Sequence, residues 1–349
     1  MNQKKVHYNK SATSKDVARL AGVSQSSVSR AFGSANGKGV KPEVRERIFR
    51  VANEIGYVPN LVARGMISGK TNVIGLIVGD SLGPFYNRII NLFVEKIQEI
   101  GKQCLVFKVP RQQSIDSIIS KVIQFQVEAV IITASAMNKV MAETCEENNI
   151  PVILFNRFIP GIKISTVYVD PIEGGGMAAE YLLKKGHKNI GYIQFTRETS
   201  EEMEKKIGFY SKLRQSGIHN LKEESANYDY DSGYEAGKRM LALSNPPTAI
   251  FCTSDLIAIG VMDAARFEYK LRVPEDLSVI GYDDIQMASW KSYNLTTIRQ
   301  PLDLLIEKTI NILKSLLNEE NPESVVEMLK PELIERGSTL YSDRYLIKW

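Results

Sequence analysis

Gln25, Ser26, Ser27, Ser29 and Arg30 stand almost consecutively in QSSVSRAF and carry amide, hydroxyl and guanidinium groups with no carboxylate among them. Such groups hydrogen-bond base edges and grip phosphate oxygens. A helix face made only to be solvated would more often mix Glu with Lys. The elements that hold these residues decide between a base-reading role and an ordinary helical hairpin.

The stretch from Ser14 to Arg30 reads as two short helices joined by a tight turn. Val17, Ala18, Leu20 and Ala21 supply an apolar face to the first, with Lys15, Asp16 and Arg19 opposite. Gly22 gives the turn its backbone freedom and Ser24 caps the second helix, where only Val28, Ala31 and Phe32 are apolar. Residues 41–55 add Pro42 at a first turn and a stripe of Val44, Ile48, Val51, Ala52 and Ile55, which predicts a third helix closing a small bundle. Residues 1–70 hold 13 Lys/Arg against 4 Asp/Glu, while the rest hold 31 against 36. A basic head on a slightly acidic body suits a polyanion. The pattern is that of a helix-turn-helix whose second helix enters the major groove.

With 349 residues, 44% hydrophobic and 24% charged, the chain suits two or three globular domains. No apolar run is long enough to span a membrane. The first residues lack the apolar core of a leader peptide, so a cytoplasmic protein with a loose basic arm is expected. Cys104, Cys145 and Cys252 are widely spaced and read as free thiols, and His7, His187 and His219 show no metal-ligand spacing. The signatures GxSxG, HExxH, GxxxxGK[ST] and strand-borne GxGxxG are absent, so neither an enzyme nor a cofactor or metal is expected. Gly174, Gly175 and Gly176 open a helix without the rest of a phosphate-binding motif.

From Val73 the period changes. VIGLIVG, CLVFKV, AVIITA and PVILF are short β-branched runs, separated by helical patterns. ISTVYVD, NIGYIQF, TAIFCTS and LSVIGYDD repeat the alternation, which predicts two doubly wound α/β subdomains in tandem. A ligand would bind in the crevice beyond the carboxyl ends of the strands. The polar residues there are Asp80, Asn156, Arg157, Asp170, Thr196, Ser254, Asp255 and Asp283, with Phe85, Tyr86 and Tyr228 close by. Carboxylates and amides take hydroxyl protons, and aromatic faces stack on a sugar ring. Each polar residue also suits a helix cap, Asp255 and Asp284 most of all.

In order along the chain, DVARLAGVSQSSVSR, GYVPNLVARGMISGKTNVIGLIV, GPF at 83–85, GH at 186–187, VIGYDD at 279–284 and LTTIRQP at 295–301 resemble the lactose-repressor/galactose-repressor (LacI/GalR) family of bacterial transcription regulators. The resemblance covers nearly the whole chain. It implies an α/β fold with an N-terminal all-α helix-turn-helix head and a periplasmic-binding-protein-like body of two doubly wound α/β subdomains.

The implied divisions are a head at 1–58, a hinge helix or linker at 59–70, and an effector-binding and dimerisation domain at 71–349. Within the last, 71–168 plus 299–330 form one subdomain, and 169–298 plus 331–349 the other. Crossovers are expected near Thr166 to Asp170, Leu295 to Arg299, and Pro331. The family's function implies a repressor that binds double-stranded operator DNA through Ser14, Ser24, Gln25, Ser26, Ser27, Ser29 and Arg30. In the hinge helix, Asn60, Ala63, Arg64 and Met66 would face the minor groove, with Met66 where relatives carry a Leu wedge. Effector contacts carry over to Asp283 and Asn156, and to Ser254, where many sugar-responsive members have Asn. Lys205 stands where those members carry Arg, and Tyr228 lies near a ligand-packing aromatic position. A sugar, sugar phosphate or small carboxylate is the implied effector class. No heptads follow the body, so a homodimer reading a palindromic operator is expected. A transporter's solute-binding protein shares the body but would need a leader and no basic head.

Overall fold

Thr13 opens the first helix with a capping box. Its hydroxyl accepts from the Asp16 amide at 3.3 Å, and its own amide donates to the Asp16 carboxylate at 3.0 Å. The computed structural model describes residues 12–33, 39–59, 71–79, 83–109, 115–133, 139–196, 199–318 and 323–342. Asn60, Ala63, Arg64, Met66 and Asp80 lie outside these residues. Two units divide the chain, Met1–Thr71 and Asn72–Trp349.

In the first unit, α1 spans Ser14–Ala21 and ends at Gly22, whose φ of 61° suits glycine. Ser24 accepts from the Ser27 amide at 3.2 Å and starts α2, Gln25–Ala31. Pro42 begins α3, Pro42–Glu54, where its missing N–H costs nothing. Val17, Ala18, Ala21, Val28, Ala31, Ile48 and Ala52 form the buried core. Phe32 meets Phe49 and Tyr57 edge-on beside it. Leu20 departs from the expected apolar face and is 51% exposed. At about 100° per residue, it turns away from the side that Val17, Ala18 and Ala21 share.

The second unit contains two sheets. β1 (Val73–Val78), β2 (Gln103–Lys108), β3 (Ala129–Ile132), β4 (Val152–Phe155), β5 (Ser165–Val169) and β11 (Val326–Leu329) lie in the order β11-β5-β4-β3-β1-β2, all parallel. β6 (Ile190–Phe195), β7 (Lys222–Ala226), β8 (Ala249–Cys252), β9 (Ser278–Tyr282), β10 (Thr296–Arg299) and β12 (Glu332–Ile334) lie in the order β12-β10-β9-β8-β6-β7, and β12 alone is antiparallel. Strands buried on both faces, such as β3, need no alternation, which is why their sequences read as unbroken apolar runs. β7, KEESA, is an edge strand with only Ala226 buried, and it carries no such signal.

Three crossovers join the sheets. The chain leaves β5 at Asp170 for α7 (Pro171–Lys184), leaves β10 at Gln300 for α11 (Leu302–Asn318), and passes from β11 to β12 at Lys330–Pro331. The second lies later than expected. Residues 296–299 form a strand of the second sheet, where Thr296 and Thr297 are fully buried, and the turn comes only at Gln300–Pro301. α11 then packs on α4 (Pro84–Glu99) and on β4 and β5 of the other sheet.

Candidate ligand cleft and nucleic-acid interface

On the head, Ser24, Gln25, Ser26, Ser29 and Arg30 are exposed, and Ser14 and Ser27 are half-buried. The Gln25 amide donates to Ser14 Oγ at 2.9 Å, which draws the two helices' exposed polar groups into one surface. Ser24 Oγ lies 2.8 Å from Ser26 Oγ and 2.9 Å from Ser27 Oγ, and Arg30 Nε donates to the Ser26 carbonyl at 3.3 Å. No acidic residue stands in the first turn of α2. Six of the seven predicted residues on described positions belong to α2 or its cap, which carry no carboxylate, and Gln25 joins Ser14 to them; such donors suit phosphates and base edges.

In the second unit, a cleft opens at the carboxyl ends of both sheets, where strand order reverses between β1 and β3 and between β6 and β8. Phe85 and Tyr86 reach it from the start of α4, and Asn156 and Arg157 from the end of β4. Tyr228 comes from the turn after β7, Asp283 from the end of β9, and Lys205 from α8 (Ser200–Gln215). These seven predicted residues are brought together. Asp170 is not, and Ser254 does not line the cleft but meets the Tyr228 hydroxyl from behind it. Asp170 accepts from the Ile172 and Glu173 amides and caps α7, while Ser254 accepts from the Leu256 amide and caps α10 (Asp255–Phe267). Thr196 also lies outside the cleft lining, in a separate groove.

Asp283 is the most constrained of these groups. It is 4% exposed and takes a φ of 108°. Its carboxylate accepts from the Tyr228 hydroxyl and, at 2.8 Å, from Gln300 Nε2. Burial pushes its pKa up to about 7, against the pull of Lys205 and these two donors. Burial and the Asp283 charge push the Tyr228 hydroxyl well above its ordinary value, so it stays a donor. Gln300 Oε1 accepts from Asn156 Nδ2 at 2.6 Å. The Tyr86 and Tyr228 rings meet edge-on at 6.1 Å.

Lys205 Nζ donates to Glu201 and Glu202, each at 2.9 Å, and sits 4.2 Å above the Tyr282 ring. Burial alone would push this amine down, but Glu201, Glu202, Tyr282 and Asp283 outweigh it and hold the amine well above its ordinary value. Its place depends on two glycines. A Cβ on Gly175 would come within 2.0 Å of the Lys205 carbonyl oxygen, and one on Gly208 within 1.9 Å of the Ile172 carbonyl oxygen. Gly175 of α7 and Gly208 of α8 thus let the two helices pack closely.

Sequence reasoning missed Thr133, Thr199, Ser200, Glu201, Glu202 and Gln300, which also line the cleft. Thr199 and Glu202 had a signal. T-x-x-E is a helix-start pattern, and Thr199 does cap α8, accepting from the Glu202 amide at 3.2 Å. Asp255 is not a helix cap but a buried staple, taking the Thr297 hydroxyl at 2.6 Å and the Ile285 amide at 2.8 Å. Asp284 pairs with Arg299 and Arg336. His187 is structural as expected, placed between Thr248 and the Leu340 carbonyl at 3.0 Å each. Among the described residues no acidic, His or Cys cluster suits a metal ion, and no helix is long and apolar enough to cross a membrane.

Residues 13–60 match the model for bacterial regulatory proteins, lacI family, and residues 179–339 match the periplasmic binding protein-like domain. The chain is 32% identical over 327 residues to the probable HTH-type transcriptional repressor ExuR of Bacillus subtilis, covering 91% of this chain and 94% of that protein. The lac repressor dimer, solved bound to operator and the anti-inducer ONPF, superposes with a TM-score of 0.85 at 25% identity, over 95% of this chain and 100% of that one. A complex of the transcriptional regulator CelR with cellobiose gives 0.69 at 26% identity, over 94% and 99%.

Proposed function

The chain belongs to the lacI family of bacterial regulatory proteins, and we propose that it represses transcription by binding a palindromic operator as a homodimer. It is a helix-turn-helix DNA-binding regulator and not an enzyme. The proposal adds the operator's symmetry, the dimer, a cytoplasmic setting, and control by a small hydroxylated effector in the cleft. Gln25 and Ser26 would read base edges, Arg30 a base or phosphate, and Ser14, Ser24, Ser27 and Ser29 the backbone. Asn60, Ala63, Arg64 and Met66 would complete the contact in the minor groove.

One observation carries the effector role: Asp283, Lys205, Asn156, Arg157, Phe85, Tyr86 and Tyr228 converge from both sheets on one cleft. Hydroxyls would bind its carboxylates and amides while a ring packs on Tyr86 or Tyr228. A ligand there moves DNA affinity only by binding one arrangement of the two sheets better than another. Selection of bound fragments from a random DNA pool tests the proposal. Recovery of inverted repeats, released or tightened by one member of a sugar panel, is the expected outcome. Recovery of unsymmetrical sites would contradict the dimer.

A further inference from the structure

The charged residues of the cleft are Arg157 and Lys205 against Glu201, Glu202 and Asp283. Lys205 is 3% exposed, and both of its carboxylate partners lie within the first turn of its own helix, one turn before it. The Tyr282 ring closes a further side of the ammonium. Glu201 serves the second cation too. Burial pushes the Arg157 guanidinium down, and Glu201 is the foremost charge opposing that shift.

We propose that Glu201 and Glu202 are specificity-determining residues that occupy the Lys205 charge, so that the cleft takes an uncharged hydroxylated ligand and rejects sugar acids and sugar phosphates. The proposal rests on the cleft being the effector site. An anion approaching Lys205 must displace a carboxylate already at 2.9 Å, and it does so beside the Asp283 carboxyl group. A hydroxyl needs no displacement, because each carboxylate has lone pairs left to accept its proton. Tyr86 and Tyr228 supply apolar faces without adding charge.

Calorimetric titration with inorganic phosphate, at ionic strength matched with sodium chloride, tests this without DNA or the natural effector. The quantity read is the phosphate affinity that Lys205→Met abolishes, which sets aside phosphate bound by the basic head. The unsubstituted protein should show no such component. Glu201→Gln/Glu202→Gln should show it, binding phosphate about tenfold or more tighter than the same variant with Lys205→Met, because the freed ammonium then meets the anion at short range. If that variant does not fold, Glu201→Gln alone keeps the Glu202 partner and should move the same way. A Lys205-dependent phosphate affinity in the unsubstituted protein overturns the proposal, and so does a folded variant that gains none. Failure of operator selection would leave this result standing, so the two readings fail separately.

Discussion

Gln300 gives its amide proton to the Asp283 carboxylate at 2.8 Å. From the other end of the same amide it accepts from Asn156 at 2.6 Å, and Asn156 Oδ1 in turn takes the Val169 amide at 3.4 Å. Asp283 follows β9 of one sheet and Asn156 follows β4 of the other, while Gln300 is the crossover between them. The chain of bonds runs along the cleft wall. Any ligand that takes a lone pair of Asp283 therefore acts on a group tied to both sheets.

Gln300→Ala should leave the Asn156 amide and the Asp283 carboxylate short of a partner. Stability should fall by about 1–3 kcal/mol, the cost of leaving buried polar groups unsatisfied. Urea unfolding measures that loss. Operator titration against increasing effector should show a shifted midpoint, and an unmoved midpoint would deny the residue a coupling role.

The pH dependence follows from the Asp283 carboxyl, held at about 7 by burial against an ordinary 3.8. The folded protein thus binds this proton more tightly than the unfolded chain does. Its contribution to stability is fully present below about pH 4 and is lost as pH rises through about 7. Asp283→Asn cannot titrate, so its melting temperature should gain on that of the unsubstituted protein over this interval and keep a constant offset above it. Asp255 shifts in the same direction, through burial and the Asp283 charge, so Asp283→Asn relaxes that shift too and the difference grows in the same sense. A flat difference would contradict the assignment.

Gly175→Ala places a methyl where the Lys205 carbonyl oxygen would stand 2.0 Å away, a backbone contact that no rotamer can relieve. The cost should be about 1–3 kcal/mol or more, the range for overpacking. Because the displaced backbone is that of Lys205, effector affinity should fall together with the melting temperature. Loss of stability with unchanged affinity would separate the helix contact from the cleft.

Gln25→Ala and Ser26→Ala should each change which half-site is preferred, by about 1–3 kcal/mol at a base pair that is read. Competition among operator variants at fixed salt is the measurement. Equal losses on every sequence would assign these side chains to phosphates instead.

Much of the architecture was legible because its signals are local. The cap at Ser24, the turn at Gly22 and the carboxylate-free face of α2 each depend on residues within one or two turns, as do the apolar runs of β1, β3, β4 and β8. Strand ends also located Asn156, Arg157 and Asp283, since a parallel strand must deliver its following residue to the sheet's carboxyl edge. Tertiary structure alone decided the rest. Asp170 is a carboxylate after a strand, as Asp283 is, but its side chain turns back to cap a helix. Edge strands such as β7 bury too little to leave a pattern. The Asn156–Gln300 bond joins residues 144 apart, and no periodicity or turn signal spans that distance. Only the crossovers bring such residues together, so the wiring of the cleft became visible once the two sheets were placed side by side.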